Sequence, residues 1–172
     1  MTLGAFTGYF RQRDSNKNTL YPYGNYYGHF VLGVIYSKCE NFEGELRQFD
    51  LNELSQIQSV VRDFTFFAQP KYRIATSRPG SGNTKNIGSI VKISDLLAGN
   101  GPFANLGEAV YDDYWMFYLT GDMAREAELP RPYTNLQNYL EYKSRGVDIL
   151  KSHAAEIAAL AEDEAASAEE LE

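Results

Sequence analysis

The stretch Ser77-Arg78-Pro79-Gly80-Ser81-Gly82-Asn83-Thr84-Lys85-Asn86-Ile87-Gly88-Ser89-Ile90 constrains this chain more than any other. An apolar, aromatic run from Phe64 to Ala75 enters it, and a second run from Ile87 to Ile93 leaves it. Pro, Gly, Ser, Asn and Thr clustered between two such runs read as strand, loop, strand. Pro79 fixes one backbone angle, while Gly80 and Gly82 permit positive φ and hold no partner at a distance. Ser81, Asn83, Thr84 and Asn86 add short donors and acceptors, and Lys85 adds a charge suited to phosphate. Two readings fit. One is an ordinary hairpin end, since turns are built from these residue types. The other is a surface that reads base edges, where an Asn amide pairs bidentately with adenine N6/N7 and Thr offers its hydroxyl or packs its methyl on thymine. A nucleotide phosphate loop is excluded: there is no Gly-x-x-x-x-Gly-Lys-Ser/Thr, and Gly80, Gly82 and Gly88 do not have Gly-x-Gly-x-x-Gly spacing.

At 172 residues the chain is long enough to bury a sizeable single core. Its net charge of -7 would argue against a nucleic-acid partner if it were evenly spread. It is not. Residues 147–172 carry eight acids and one base, whereas the other 146 residues are balanced at fifteen of each. Within these, Arg62 to Lys92 has six bases against Asp63 alone, so the region around the loop is locally basic. The single cysteine, Cys39, allows no internal disulfide, and the two histidines, His29 and His153, have no zinc-ligand spacing with it. No leader-like or membrane-spanning apolar run is present, and the expectation is a soluble cytoplasmic protein.

Thr2 to Phe10 reads as a strand opening at Met1, whose edge calls for a partner from further upstream. Tyr21 to His29 is turn-rich, with room for one helical turn. Phe30 to Tyr36 is a continuous β-branched and aromatic run expected as a central strand buried on both faces. His29 beside it reads as a core or hinge residue. Glu43 to Phe49 is an edge-strand candidate, and Asp50 or Asn52 is placed to cap a short helix over Glu53 to Ile57. Phe64 to Ala68 and Lys71 to Ala75 form the strand that delivers the loop. Ser94 is expected to cap a helix from Asp95 to Ala98, and a longer helix runs from about Gly107 to Tyr118 with Val110, Tyr114 and Phe117 on one side. Gly121 to Pro132 reads as loop, and Asn135 to Arg145 as a helix closed by Gly146. The Ala/Glu-rich residues 147–172 read as an acidic, solvated helical tail.

The sequence Gly80-Ser81-Gly82-Asn83-Thr84-x-Asn86-Ile87-Gly88-Ser89-Ile90 resembles the DNA recognition loop of the EcoRV-type restriction endonucleases. The resemblance extends over about residues 2–146. Thr2-Leu3-Gly4, Phe6-Thr7, Lys17-Asn18, Tyr21-Pro22, Asn52-Glu53-Leu54 with Ile57, Asp113-Tyr114-Trp115 and Arg145-Gly146 fall in the family's order.

The resemblance implies an α/β fold of the restriction-endonuclease type, a mixed sheet flanked by helices and incomplete on its N-terminal side. Residues 1–146 would form the recognition part and residues 147–172 the tail. It implies base recognition by Gly80, Ser81, Gly82, Asn83, Thr84 and Asn86, phosphate placement by Thr2 and Lys17, and a dimer contact over Leu51 to Asp63, notably Leu51, Asn52, Glu53, Leu54 and Ile57. Lys85 joins the phosphate group on its charge. The partners implied are double-stranded DNA and either a second copy or a catalytic partner half, with no membrane. The family's chemistry uses an Asp and an Asp-x-Lys holding magnesium, placed upstream of where this sequence starts, so no catalytic or metal-ligating residue is assigned here. Glu141-Tyr142-Lys143 imitates Glu-x-Lys but falls on family positions that are not catalytic. Gly8, Ser15, Lys85 and Thr120 depart from the family's residue types. The reading is sequence-specific recognition of DNA within a magnesium-dependent type II endonuclease. The alternative is a truncated or split-gene subunit acting as an interaction module without cleavage.

Overall fold

The structure, a computed structural model, describes residues 2–5, 20–40, 48–80, 86–126, 128 and 130–146. Five strands and five short helices follow one another along them, all the strands ahead of the last four helices: β1 (Thr2–Ala5), β2 (Phe30–Lys38), β3 (Val61–Pro70), α1 (Lys71–Ile74), β4 (Ala75–Pro79), β5 (Asn86–Ser89), α2 (Ile93–Ala98), α3 (Glu108–Met116), α4 (Gly121–Glu126) and α5 (Leu136–Ser144). The class is mixed α/β, as the sequence implies. The chain divides into two compact units, residues 30–68 and the remainder on either side of them.

The larger unit holds an antiparallel sheet in the order β1-β5-β4. Thr2 pairs with Gly88 and Ala5 with Asn86, while Ala75 pairs with Ser89 and Pro79 with Ile87, so β5 lies between two partners. Ile87, Gly88 and Ser89 are accordingly buried. Gly88 is required here, because a Cβ would stand 2.9 Å from the Arg78 carbonyl oxygen and 2.6 Å from Thr76 Oγ1. Ile74, Phe103, Tyr111, Tyr114, Trp115 and Tyr139 are fully or almost fully buried and form the core.

Helix ends follow local chemistry. Asn135 caps α5 by accepting the Asn138 backbone N–H at 3.0 Å, and Gly146 stands beyond it with φ of 72°. Gly99 closes α2 in the left-handed region, φ 66°, its N–H reaching the Asp95 and Leu96 carbonyls. Three expectations need correction. Lys71 to Ala75 does not extend a strand: Pro70 lacks the N–H a ladder needs, and the chain makes one helical turn, α1, with the Lys71 N–H donating to the His29 carbonyl at 2.8 Å. Ser94 lies inside α2 rather than capping it, since Lys92 is the first flanking residue. Gly121 to Glu126 is helical because Thr120 accepts the Met123 N–H on its hydroxyl at 3.2 Å, an N-cap the loop reading passed over.

The smaller unit is a two-stranded ribbon of β2 and β3. One side of it packs: a Cβ on Gly33 would meet the Phe67 ring at 2.2 Å. The opposite side carries Phe30, Leu32, Val34, Tyr36, Phe64 and Phe66, all exposed among the described residues. The run expected to be buried on both faces is exposed on one and half-buried on the other, because a two-stranded ribbon offers a cover of its own to neither face. Between the strands Asp50 starts a 3₁₀ turn over Leu51–Gln56, its N–H donating to Glu53 Oε2 at 3.0 Å. The edge strand expected at Glu43 to Phe49 lies mostly outside the described residues. So do the strand residues beyond Ala5 and the tail.

Candidate nucleic-acid interface

The strand–loop–strand reading of residues 64–90 holds at the neck of the loop. β4 and β5 run antiparallel, and beyond their last pair the Gly80 N–H donates to the Asn86 carbonyl at 2.7 Å. That bond gathers the two ends of the glycine-rich segment. Of the residues expected to recognise bases, the structure describes Gly80 and Asn86. Ser81, Gly82, Asn83, Thr84 and Lys85 lie outside the described residues, as does Lys17. Thr2, remote in sequence, is brought to this hairpin by pairing with Gly88.

The neck rests on α3. Tyr114 is fully buried, and its phenol donates to the Ser77 carbonyl at 2.7 Å, tying β4 to the helix just before the loop. The Tyr114 carbonyl in turn accepts the Tyr133 phenol at 2.6 Å. Around Tyr114 lie Phe103, Trp115, Tyr118, Tyr133 and Tyr139, with ring centroids 5.3–5.4 Å away. Burial pushes the Tyr114 and Tyr139 phenols well above their usual range, and for Tyr139 the adjacent Asp113 adds to the effect. Both stay protonated donors.

Tyr118 is raised by burial too, opposed by Arg131, which hydrogen-bonds its side chain, and by the charge of Arg78. Arg131 also donates from Nε to the Leu119 carbonyl at 2.9 Å. The sequence placed Arg131 in an undifferentiated loop. The usable signal was Pro130-Arg-Pro132, two prolines that hold the backbone around a single charge. In the sequence Tyr114 reads as an apolar helix position within Asp113-Tyr114-Trp115, and the hydroxyl that holds β4 is visible only in the fold.

At the other edge of the sheet, Lys71 is half-buried beside Gly4, its Nζ 3.7 Å from where a Cβ on that glycine would stand. Burial lowers its pKa to about 8, although Asp112 pulls the other way. Glu108 is raised, by burial first and then by Asp112. Lys71 therefore gives up its charge at a lower pH than an exposed lysine, though it keeps most of it near neutral pH.

Glu141 and Lys143 do not face a common ion. Lys143 pairs with Asp113 at 2.7 Å, the same carboxylate oxygen that accepts the Tyr139 phenol at 2.6 Å, and Glu141 accepts from Gln137 at 2.9 Å. The two contacts to Asp113 strap α5 to α3, and the Gln137–Glu141 bond lies within α5. Among the described residues no three His, Cys, Asp or Glu side chains gather as a metal site. These residues do not fit a magnesium ion, and no catalytic step is derived from them. The dimer candidates Leu51, Leu54 and Ile57 are exposed on the 3₁₀ turn of the smaller unit. No described helix is long and apolar enough to cross a membrane.

Residues 1–144 match the family model for restriction endonuclease EcoRV. The type II restriction enzyme EcoRV of Escherichia coli is 33% identical over 146 residues, which cover 84% of this chain and 56% of that protein. The chain therefore spans little more than half the length of the relative it matches.

Proposed function

This chain belongs to the EcoRV restriction endonuclease family, and on that premise we propose that it recognises a short palindromic site in double-stranded DNA as the sequence-reading part of a type II enzyme. The observation that supports this most is the closed neck: the Gly80–Asn86 bond on a hairpin held to α3 by Tyr114. A glycine-rich segment on such a base presents backbone groups to a groove without the orientation of its root having to be fixed on binding. Asn83 and Thr84 read base edges, Gly80 and Gly82 allow close backbone approach, and Ser81 and Asn86 complete the set. Thr2, Lys17 and Lys85 hold phosphates and set register. In the complete enzyme, magnesium supplied with an Asp and Asp-x-Lys would activate the attacking water, chemistry outside the residues described.

The test is equilibrium binding of the chain to a library of palindromic duplexes at two salt concentrations. Selection of one palindrome, with Asn83→Ala relaxing the preference and Lys17→Ala weakening all sequences evenly, is the expected result. Identical behaviour of the two variants would overturn the division of roles. A second reading is favoured by the exposed Leu51, Leu54 and Ile57 and by the open face of the ribbon: this unit pairs with another copy or with a catalytic half. If the chain binds no DNA at low salt yet forms a stable complex with a full-length family member, that reading replaces the first.

A further inference from the structure

Four basic side chains among the described residues pair with acids: Arg62 with Asp63, Lys92 with Asp95, Arg125 with Asp122 and Lys143 with Asp113. Two arginines at the foot of the loop are not so matched. Arg78 sits at the end of β4, exposed, two residues before the neck, and Arg131 reaches the same region from the segment between α4 and α5. Neither has a carboxylate partner among the described residues, and both lie within electrostatic reach of the Tyr118 ring.

Arg131 is also oriented in advance. Its Nε is spent on the Leu119 carbonyl at 2.9 Å, the Tyr118 phenol accepts a further hydrogen bond from it, and its Nη1 stands 4.0 Å from where a Cβ on Gly121 would be. A guanidinium fixed by one edge keeps its remaining N–H groups for a partner, and its planar fork suits the two free oxygens of a phosphodiester. Two like charges that both act on one phenol, neither paired with a carboxylate among the described residues, favour an anionic ligand.

We propose that Arg131 and Arg78 form a clamp for the DNA backbone, gripping phosphodiester groups beside the bases that the loop reads and so fixing the depth and angle at which it enters the groove. The clamp deepens the recognition role proposed above and rests on it. It uses residues other than Thr2, Lys17 and Lys85, and it reads no sequence itself.

The experiment measures binding of the full chain to its preferred duplex and to an unrelated one between 50 and 200 mM salt. Replacing one phosphate contact should flatten the slope of log affinity against log salt by about 0.9. We expect Arg131→Gln and Arg78→Gln each to produce that change equally on both duplexes, Arg131→Lys to recover part of it, and Arg62→Gln, which lies outside the clamp, to leave it unaltered. Should Arg131→Gln fail to fold, by circular dichroism, the exposed Arg78 decides alone. If the wild-type chain binds no duplex, the recognition role fails and takes the clamp with it. If the wild type binds but the Arg78 slope is unchanged, or Arg62→Gln alters it as much, the clamp is wrong and the recognition role stands.

Discussion

The aromatic platform under the loop and the β2–β3 ribbon are built from the same kinds of residue and have opposite fates. In the platform Tyr114, Trp115, Tyr118, Tyr133 and Tyr139 are almost completely buried, and three phenols among them find partners in Ser77, Tyr114 and Asp113. In the ribbon Leu32 and Phe66 are 82% and 74% exposed, and Phe30, Val34, Tyr36 and Phe64 share their face. Tyrosine in the first case joins apolar bulk to a directed hydrogen bond, so it can fill a core and tie a strand to it. The ribbon's side chains bring bulk alone. Two strands have no second layer of their own to receive it, and an open apolar face of this kind is the surface that the proposed pairing with another polypeptide would use.

The contrast breaks most sharply at Tyr114. Tyr114→Ala removes a buried ring and the tie to Ser77, and should cost about 3–5 kcal/mol, read as a fall in the denaturant midpoint. A loss below 1 kcal/mol would mean the platform is not the stabilising centre. Lys71 offers the next largest effect. Its folded pKa, about 8, lies below its unfolded value of 10.5, so the unfolded chain binds more protons between them and stability rises with pH across that window. Lys71→Met should remove this rise and add on the order of 1–3 kcal/mol at pH 7, since the buried charge is no longer imposed. Above pH 10 the direction reverses, because the raised phenols of Tyr114 and Tyr139 keep protons that the unfolded chain has lost. A stability curve flat from pH 8 to 10 would contradict the burial of Lys71.

Smaller effects sharpen the comparison. Asn135→Ala should cost about 1 kcal/mol by removing the cap of α5, with a thermal shift as the readout. Tyr114→Phe should lose about 1 kcal/mol of the tie while keeping the ring, and the gap between this variant and Tyr114→Ala separates bond from bulk. Phe66→Ser should change the isolated chain by less than about 0.5 kcal/mol. The same substitution should weaken association with any partner that covers the ribbon. If instead it destabilises the isolated chain as a core substitution does, the ribbon face is buried and the contrast disappears.

What the sequence made legible was governed by local chemistry. Asn135, Gly146, Gly99 and Asp50 mark ends that follow from caps and left-handed residues, which need no knowledge of the remaining fold. The hairpin around the loop was readable for the same reason. The turn after Pro70 was harder, because Lys71 to Ala75 has the composition of a strand and only the missing proline N–H and the His29 carbonyl decide against it. Helix α4 was hidden behind a threonine cap in a segment rich in turn residues. The face of β2 could not be read at all, since a continuous apolar run is compatible with cover on one side or on two. At the site, the glycine and asparagine pattern pointed to the loop, but the tie from Tyr114 and the placement of Arg131 depend on residues 37 and 12 positions away from their partners.

The hydrogen bond between Gly80 and Asn86 also acts as a ruler. With both ends pinned together, five intervening residues must go out and return, and at roughly 3.5 Å per residue the tip can stand only about 10 Å above the neck. The major groove of DNA is about 8.5 Å deep. On the recognition role proposed above, a segment two residues shorter would fall short of the groove floor, which would limit its length as tightly as its composition.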